Sequence, residues 1–235
     1  MFLFLLLGCD EIDALFASVT DPEIAEGLVM GLRAPPELDL TDTPFENGGR
    51  AAAYLTTVDG TPIPADLALA SPSNGRVTLV GEGEGVWATP GDLDLSYVVG
   101  DTYVLYRDGG EILRAEAAPP VAMTLPSTHA AGAALRLDAA GQDFDGLLAS
   151  VLDLETREEV WTNVPGDAAA IQAMLLEEPV LTFDIPGEAF AGSGAYAVGV
   201  AGLRANEAVD VTDVNALASL MATGVLVMSP ITVTE

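Results

Sequence analysis

From residue 50 onward, short apolar runs recur about every 8–12 residues, each closed by a turn signal. AAAYLTTV at 51–58 runs into Asp59-Gly60, and ADLALAS at 65–71 into PSNG. RVTLVGEG (76–83), GEGVWATPG (83–91) and LSYVVGD (95–101) continue the series. Runs this short cannot build long helices, so the spacing predicts an all-β fold of sandwich or barrel type. The clearest hairpin is TYVLYRDGGEILRAEA at 102–117, where Asp108-Gly109-Gly110 supplies residues that tolerate the positive φ of a tight turn.

Pro119-Pro120 stiffens the chain and removes two ladder donors, so a boundary is placed there. The expected organisation is a β-sandwich module over 50–118 and a second over 121–235. AMTL, AALRLDA, GLLASVLDL, EEVWTNV, VLTFDI and AYAVGVAGL supply the strands of the second. GDAAAIQAMLLEE at 166–178 reads as a helix, started by Gly166-Asp167 and stopped by Pro179. DVNALASLMATG at 213–224 reads as a second short helix, followed by a strand interrupted at Pro230. Before residue 50, DEIDALFASV places Ile12, Leu15, Phe16 and Val19 at helical spacing. EIAEGLVMGL (23–32) leans to strand, and the Pro- and Asp-rich 34–49 segment to loop.

Charge excludes one class of partner. Eight arginines, no lysine and 36 acids give a net charge of −28, which repels phosphate backbones and argues against nucleic acid. Such a surface also attracts cations, so calcium is the cofactor to weigh. DFDG at 143–146 offers Asp143 and Asp145 as ligands, but a calcium loop's third ligand and terminal Glu are missing at the required spacing. No other cofactor is expected. Asp143/Asp145 and the pairs Glu82/Glu84, Asp92/Asp94 and Asp210/Asp213 have the makings of an acid-pair hydrolase, a spacing that 36 acids also produce by chance.

No catalytic residue is assigned. His129, the single histidine, lies in PSTHAAG, which reads as an exposed loop, and no GxSxG elbow exists. GEGEG at 81–85 lacks a phosphate-binding lysine and reads as a tight connection. Trp87, Trp161, Tyr54, Tyr97, Tyr103 and Tyr106 read as core rather than as a sugar-stacking platform.

The N-terminus bears on location. MFLFLLL would rise only about 10 Å as a helix and cannot cross about 30 Å of hydrocarbon. Leu6-Leu7-Gly8-Cys9 resembles the lipobox of bacterial lipoproteins, and Cys9 is the sole cysteine. That resemblance implies a signal peptide over 1–8, diacylglycerol on Cys9 and a tether over 9–49 with one early strand. It also implies a cell-envelope protein attached to a membrane, inner or outer. No Lys or Arg precedes Cys9, which leaves a start upstream of Met1 or a coincidental match.

YVVGDTYVL at 97–105, with its hairpin and Pro-rich exit, resembles transthyretin-like and carboxypeptidase-regulatory-like domains. GAYAVGV at 194–200 resembles fibronectin type III and other immunoglobulin-like modules. The overall texture is similar to uncharacterised acidic lipoproteins of Gram-negative bacteria. These resemblances bear on architecture alone. With the lipid anchor and no catalytic motif, the expected function is a non-enzymatic binding or structural module with an unknown protein or glycan partner. A calcium- or carbohydrate-binding surface module is the alternative, and an acid-pair hydrolase the third.

Overall fold

A computed structural model describes residues 23–43, 49–57, 59–91, 93–165, 168–207 and 219–235. The first half contains β1 (Glu23–Arg33), β2 (Arg50–Thr57), β3 (Leu67–Ser71) and β4 (Gly75–Thr78). It continues with β5 (Val80–Gly83), β6 (Val86–Ala88), β7 (Thr102–Arg107) and β8 (Gly110–Glu116). The second half contains β9 (Thr128–Ala130), β10 (Leu135–Asp138), β11 (Gly146–Asp153) and β12 (Glu159–Thr162). The helix α1 (Ala168–Leu176) follows, then β13 (Thr182–Ile185), β14 (Gly194–Glu207) and β15 (Leu220–Thr234). The fold is all-β, as the spacing of apolar runs predicts.

Nine strands form one sheet in the order β12-β11-β14-β15-β1-β2-β6-β5, with β9 also paired to β15. Most neighbours are antiparallel, but β1 and β9 both run parallel to β15. One sheet therefore draws strands from both sides of Pro119-Pro120. The early strand expected within 9–49 is β1, and it lies between β15 and β2 near the middle of the sheet.

A four-stranded sheet (β4-β3-β7-β8) and a two-stranded one (β10-β13) pack against this large sheet. The first core joins Ala25, Val29, Ala53 and Leu55 to Leu67, Leu69, Tyr103, Leu105 and Leu113. The second joins Ala149, Val151, Val198 and Val200 to Leu135, Leu137 and Ile185. Met221 belongs to the first core, Ile231 and Val233 to the second. All three are odd-numbered positions of one strand, so both small sheets cover the same face. The opposite face is also apolar. There Leu148, Leu203, Leu220 and Ala222 meet Leu175 of α1, while Leu152, Ala197 and Met228 meet Leu40.

A small cluster fixes the halves to each other. Thr223, fully buried, accepts a hydrogen bond from Ala118 N at 3.0 Å and donates one to Glu116 O at 2.7 Å. Tyr97 donates to Ala118 O at 3.0 Å and packs over Gly31, where an added Cβ would lie 2.5 Å from the Tyr97 ring. The chain entering Pro119-Pro120 is thus tied to β15 by side-chain and backbone groups.

Four local expectations are corrected. AMTL at 122–125 forms no strand. Leu220–Gly224 is strand rather than helix, because β14 and β1 pair with it on its two edges; residues 213–218 of that segment lie outside the described residues. LSYVVGD forms no strand. Leu95 N bonds Gly49 O and Ser96 N bonds the Asn74 side chain, so its backbone is satisfied by loops. Pro230 does not interrupt β15. Thr232 N points toward Ser127 on the β9 edge. Pro230, two residues earlier, faces that edge between the end of β1 pairing at Val227 and the start of β9 pairing at Thr232. Its missing N–H falls where no partner strand stands. The Asp108-Gly109 hairpin is as expected, with φ of 48° and 90°. The helical spacing at 10–19 lies outside the described residues.

Replacing Thr223 by Val keeps the shape but strands the Ala118 N–H, at an expected cost of about 1–3 kcal/mol measured by denaturant unfolding. Burial also pushes the Tyr97 hydroxyl up to about 12. The folded state disfavours its phenolate, so this contribution is intact below the ordinary value near 10 and is lost as pH rises toward about 12. The Tyr97→Phe variant should show a shallower alkaline loss of stability over that window.

Candidate functional site

Asp143 and Asp145 precede β11, on neighbouring turns of one short loop, but each carboxylate is engaged separately. Asp143 accepts from Arg204 Nη2 at 2.8 Å, and its backbone oxygen accepts from Arg204 Nε at 2.8 Å. Asp145 accepts from Ala205 N at 2.8 Å. Arg204 also lies 5.9 Å from the Phe144 ring centroid. The pair therefore pins the loop to β14, with a guanidinium beside the Asp143 carboxylate. Among the described residues, no three His, Cys, Asp or Glu side chains gather as a metal set.

His129 is not in an exposed loop. It sits in β9, half-buried, with its ring edge-on to Phe190 at 4.8 Å between centroids. Its Nε2 donates to Ala133 O at 2.8 Å, which closes the following turn. Three strand residues close to turn-forming Gly132 are too short a run for a period-2 signal, so PSTHAAG reads as loop from the sequence. The other acidic pairs are dispersed. Glu84 occupies the β5–β6 turn at φ 51°, and Asp94 accepts from Gly49 N at 2.8 Å. Asp92, Asp210 and Asp213 lie outside the described residues, as does Cys9.

The aromatic residues divide. Tyr103 is fully buried and stacks on Tyr97 at 5.8 Å. Arg76 lies over the Tyr106 ring at 4.6 Å. Trp161, half-buried on edge strand β12, tilts against Phe183 of β13 at 6.3 Å. This last pair borders a groove that no sequence motif marks.

Between α1 and the large sheet lies an open groove of about 390 Å³. Leu147, Met174, Val180 and Phe183 supply its apolar walls, Asn163 one polar wall, and Glu177 and Glu178 its charges. Asn163 is held rigidly: its Oδ1 accepts from Ala149 N at 2.6 Å and its Nδ2 donates to Leu147 O at 3.0 Å. Gly146 lets the helix approach, since a Cβ there would lie 3.0 Å from the Met174 methyl. The groove lies where α1, which buries Leu175 against the sheet, ends, and residues 177, 178 and 180 line it together with Phe183. Nothing periodic in the sequence marks such a junction; only the exposed Val180, outside any core pattern, hints at it.

Elsewhere the acids act locally. Asp39 accepts from Thr41 N at 3.0 Å and pairs with Arg157 at 3.0 Å, whose guanidinium also reaches Thr41 O. These contacts join the 34–43 loop, which covers the back of the sheet, to the β11–β12 turn. Compared with known proteins, the chain matches no family model, no curated protein and no solved structure.

The Thr41 hydrogen bonds, with Arg157 beside them, hold the Asp39 carboxyl down at about 2. A carboxylate titration followed by NMR should place its midpoint there, and Arg157→Gln should raise it toward the ordinary aspartate value.

Proposed function

We propose that this chain is a lipid-anchored cell-envelope protein of a Gram-negative bacterium, acting as a binding or structural module and not as an enzyme. The single observation behind this reading is Leu6-Leu7-Gly8-Cys9, an aliphatic-to-glycine approach to the only thiol in the chain. Thioether attachment of diacylglycerol at Cys9, with a further acyl group on its freed amine, would supply two or three chains. Each buried CH₂ contributes about 0.8 kcal/mol and one chain alone binds marginally, so that number is what durable anchoring needs.

The folded part is consistent with such a role. The described residues contain no helix long and apolar enough to cross a membrane. The large sheet couples the two halves through β15, β1 and Thr223, which suits a body that must hold its shape while presenting a surface. On this reading the folded body presents a surface to a protein or glycan partner.

The test is metabolic labelling with an alkyne fatty acid in a Gram-negative host, followed by mass spectrometry of the N-terminal peptide. The expected result is label on a chain that begins at Cys9, and none on the Cys9→Ala variant. An unacylated product with residues 1–8 retained would overturn the proposal.

A further inference from the structure

The groove beside α1 is apolar on its walls and carries only negative charge at its rim. Glu177 and Glu178 follow the C-terminal end of the helix, where the backbone dipole is already negative and a cation is the favoured neighbour. The last turn of α1 carries no basic residue, and neither glutamate has an ion-pair partner among the described residues. Five of the eight arginines are committed to ion pairs elsewhere, Arg50 clamps the 90–93 loop, and Arg76 lies over Tyr106. The chain thus places two uncompensated carboxylates beside an apolar hollow at the pole of the helix that attracts cations.

We propose that this groove binds a small organic cation: an ammonium group carried on a compact aryl or alkyl body. The body fits against Leu147, Met174, Val180 and Phe183, and the ammonium meets Glu177 and Glu178. A hollow of about 390 Å³ lies near the lower end of the volumes that hold small ligands, which limits the body to roughly one ring with a short chain. An anion of the same shape meets repulsion, and a neutral isostere gains only the apolar contacts. Asn163, fixed by both of its backbone hydrogen bonds, narrows one side without needing to reorganise. The inference is independent of the lipid anchor, since the groove belongs wholly to the folded body.

Trp161 reports on the site because its ring leans on Phe183, which lines the groove. In a Trp87→Phe background, its emission is followed while phenethylammonium, 2-phenylethanol and 3-phenylpropionate are added in turn. The expected result is a saturable change with the ammonium, binding about tenfold weaker for the alcohol, and none for the carboxylate. The double variant Glu177→Gln/Glu178→Gln should lose about tenfold in ammonium affinity while leaving the alcohol unchanged. Ala173→Phe, which fills the groove from the helix side, should abolish both. No saturable response to the ammonium, or equal affinity for ammonium and alcohol, would overturn the proposal. The three-ligand comparison decides it even where a variant fails to fold.

Discussion

The parallel pairing of β1 with β15 is the constraint on which the architecture rests. Register runs from Glu26 opposite Leu220 to Arg33 opposite Val227, joining segments nearly two hundred residues apart in sequence. On its other edge β15 pairs with β14 over almost its full length. One strand therefore carries the junction between the halves, and its alternating side chains feed separate clusters on opposite faces. Met221 serves the first core, Ile231 and Val233 the second, and Leu220 and Ala222 the helix side. Burial on both faces explains why this strand reads as a nearly continuous apolar run rather than an alternating one.

Electrostatics play a different part. With 36 acids against eight arginines, the cations are too few to neutralise the surface. They are spent instead as local ties: Arg157 on the 34–43 loop, Arg204 on the loop before β11, Arg50 on the carbonyls of Pro90, Gly91 and Leu93. Exposed pairs of this kind contribute little energy singly, so they set loop positions while the apolar layers hold the fold. The remaining carboxylates act as a solvated coat, which explains why closely spaced acids in the sequence, such as Asp143 and Asp145, end up with separate partners.

How much of this was legible in the sequence follows from which forces were local. Hairpins set by turn chemistry were readable, as at Asp108-Gly109, and so was α1 from its Ala- and Leu-rich composition. The strand character of Leu220–Thr223 was not. Its Ala, Met and Leu favour helix, and only β1 and β14, both remote in the chain, overrule that preference. LSYVVGD failed in the opposite sense: its residues favour strand, but the backbone of Leu95 and Ser96 bonds Gly49 and the Asn74 side chain in loops instead. His129 was missed because three residues are too few for alternation to register. The groove was invisible for a related reason, since it is a property of where α1 stops relative to β13, not of any motif.

The central place of β15 also orders events in time. It follows every other described strand in the chain, yet it lies between β14 and β1 in the interior of the sheet. Until residues 220–234 have left the ribosome, β1 lacks its parallel neighbour and the first half has no Thr223 to hold Ala118. Closure of the sheet must wait for long-range pairing, which is intrinsically slow. The first half therefore cannot complete its side of the large sheet until the second half is present, and the two halves must set together rather than in turn.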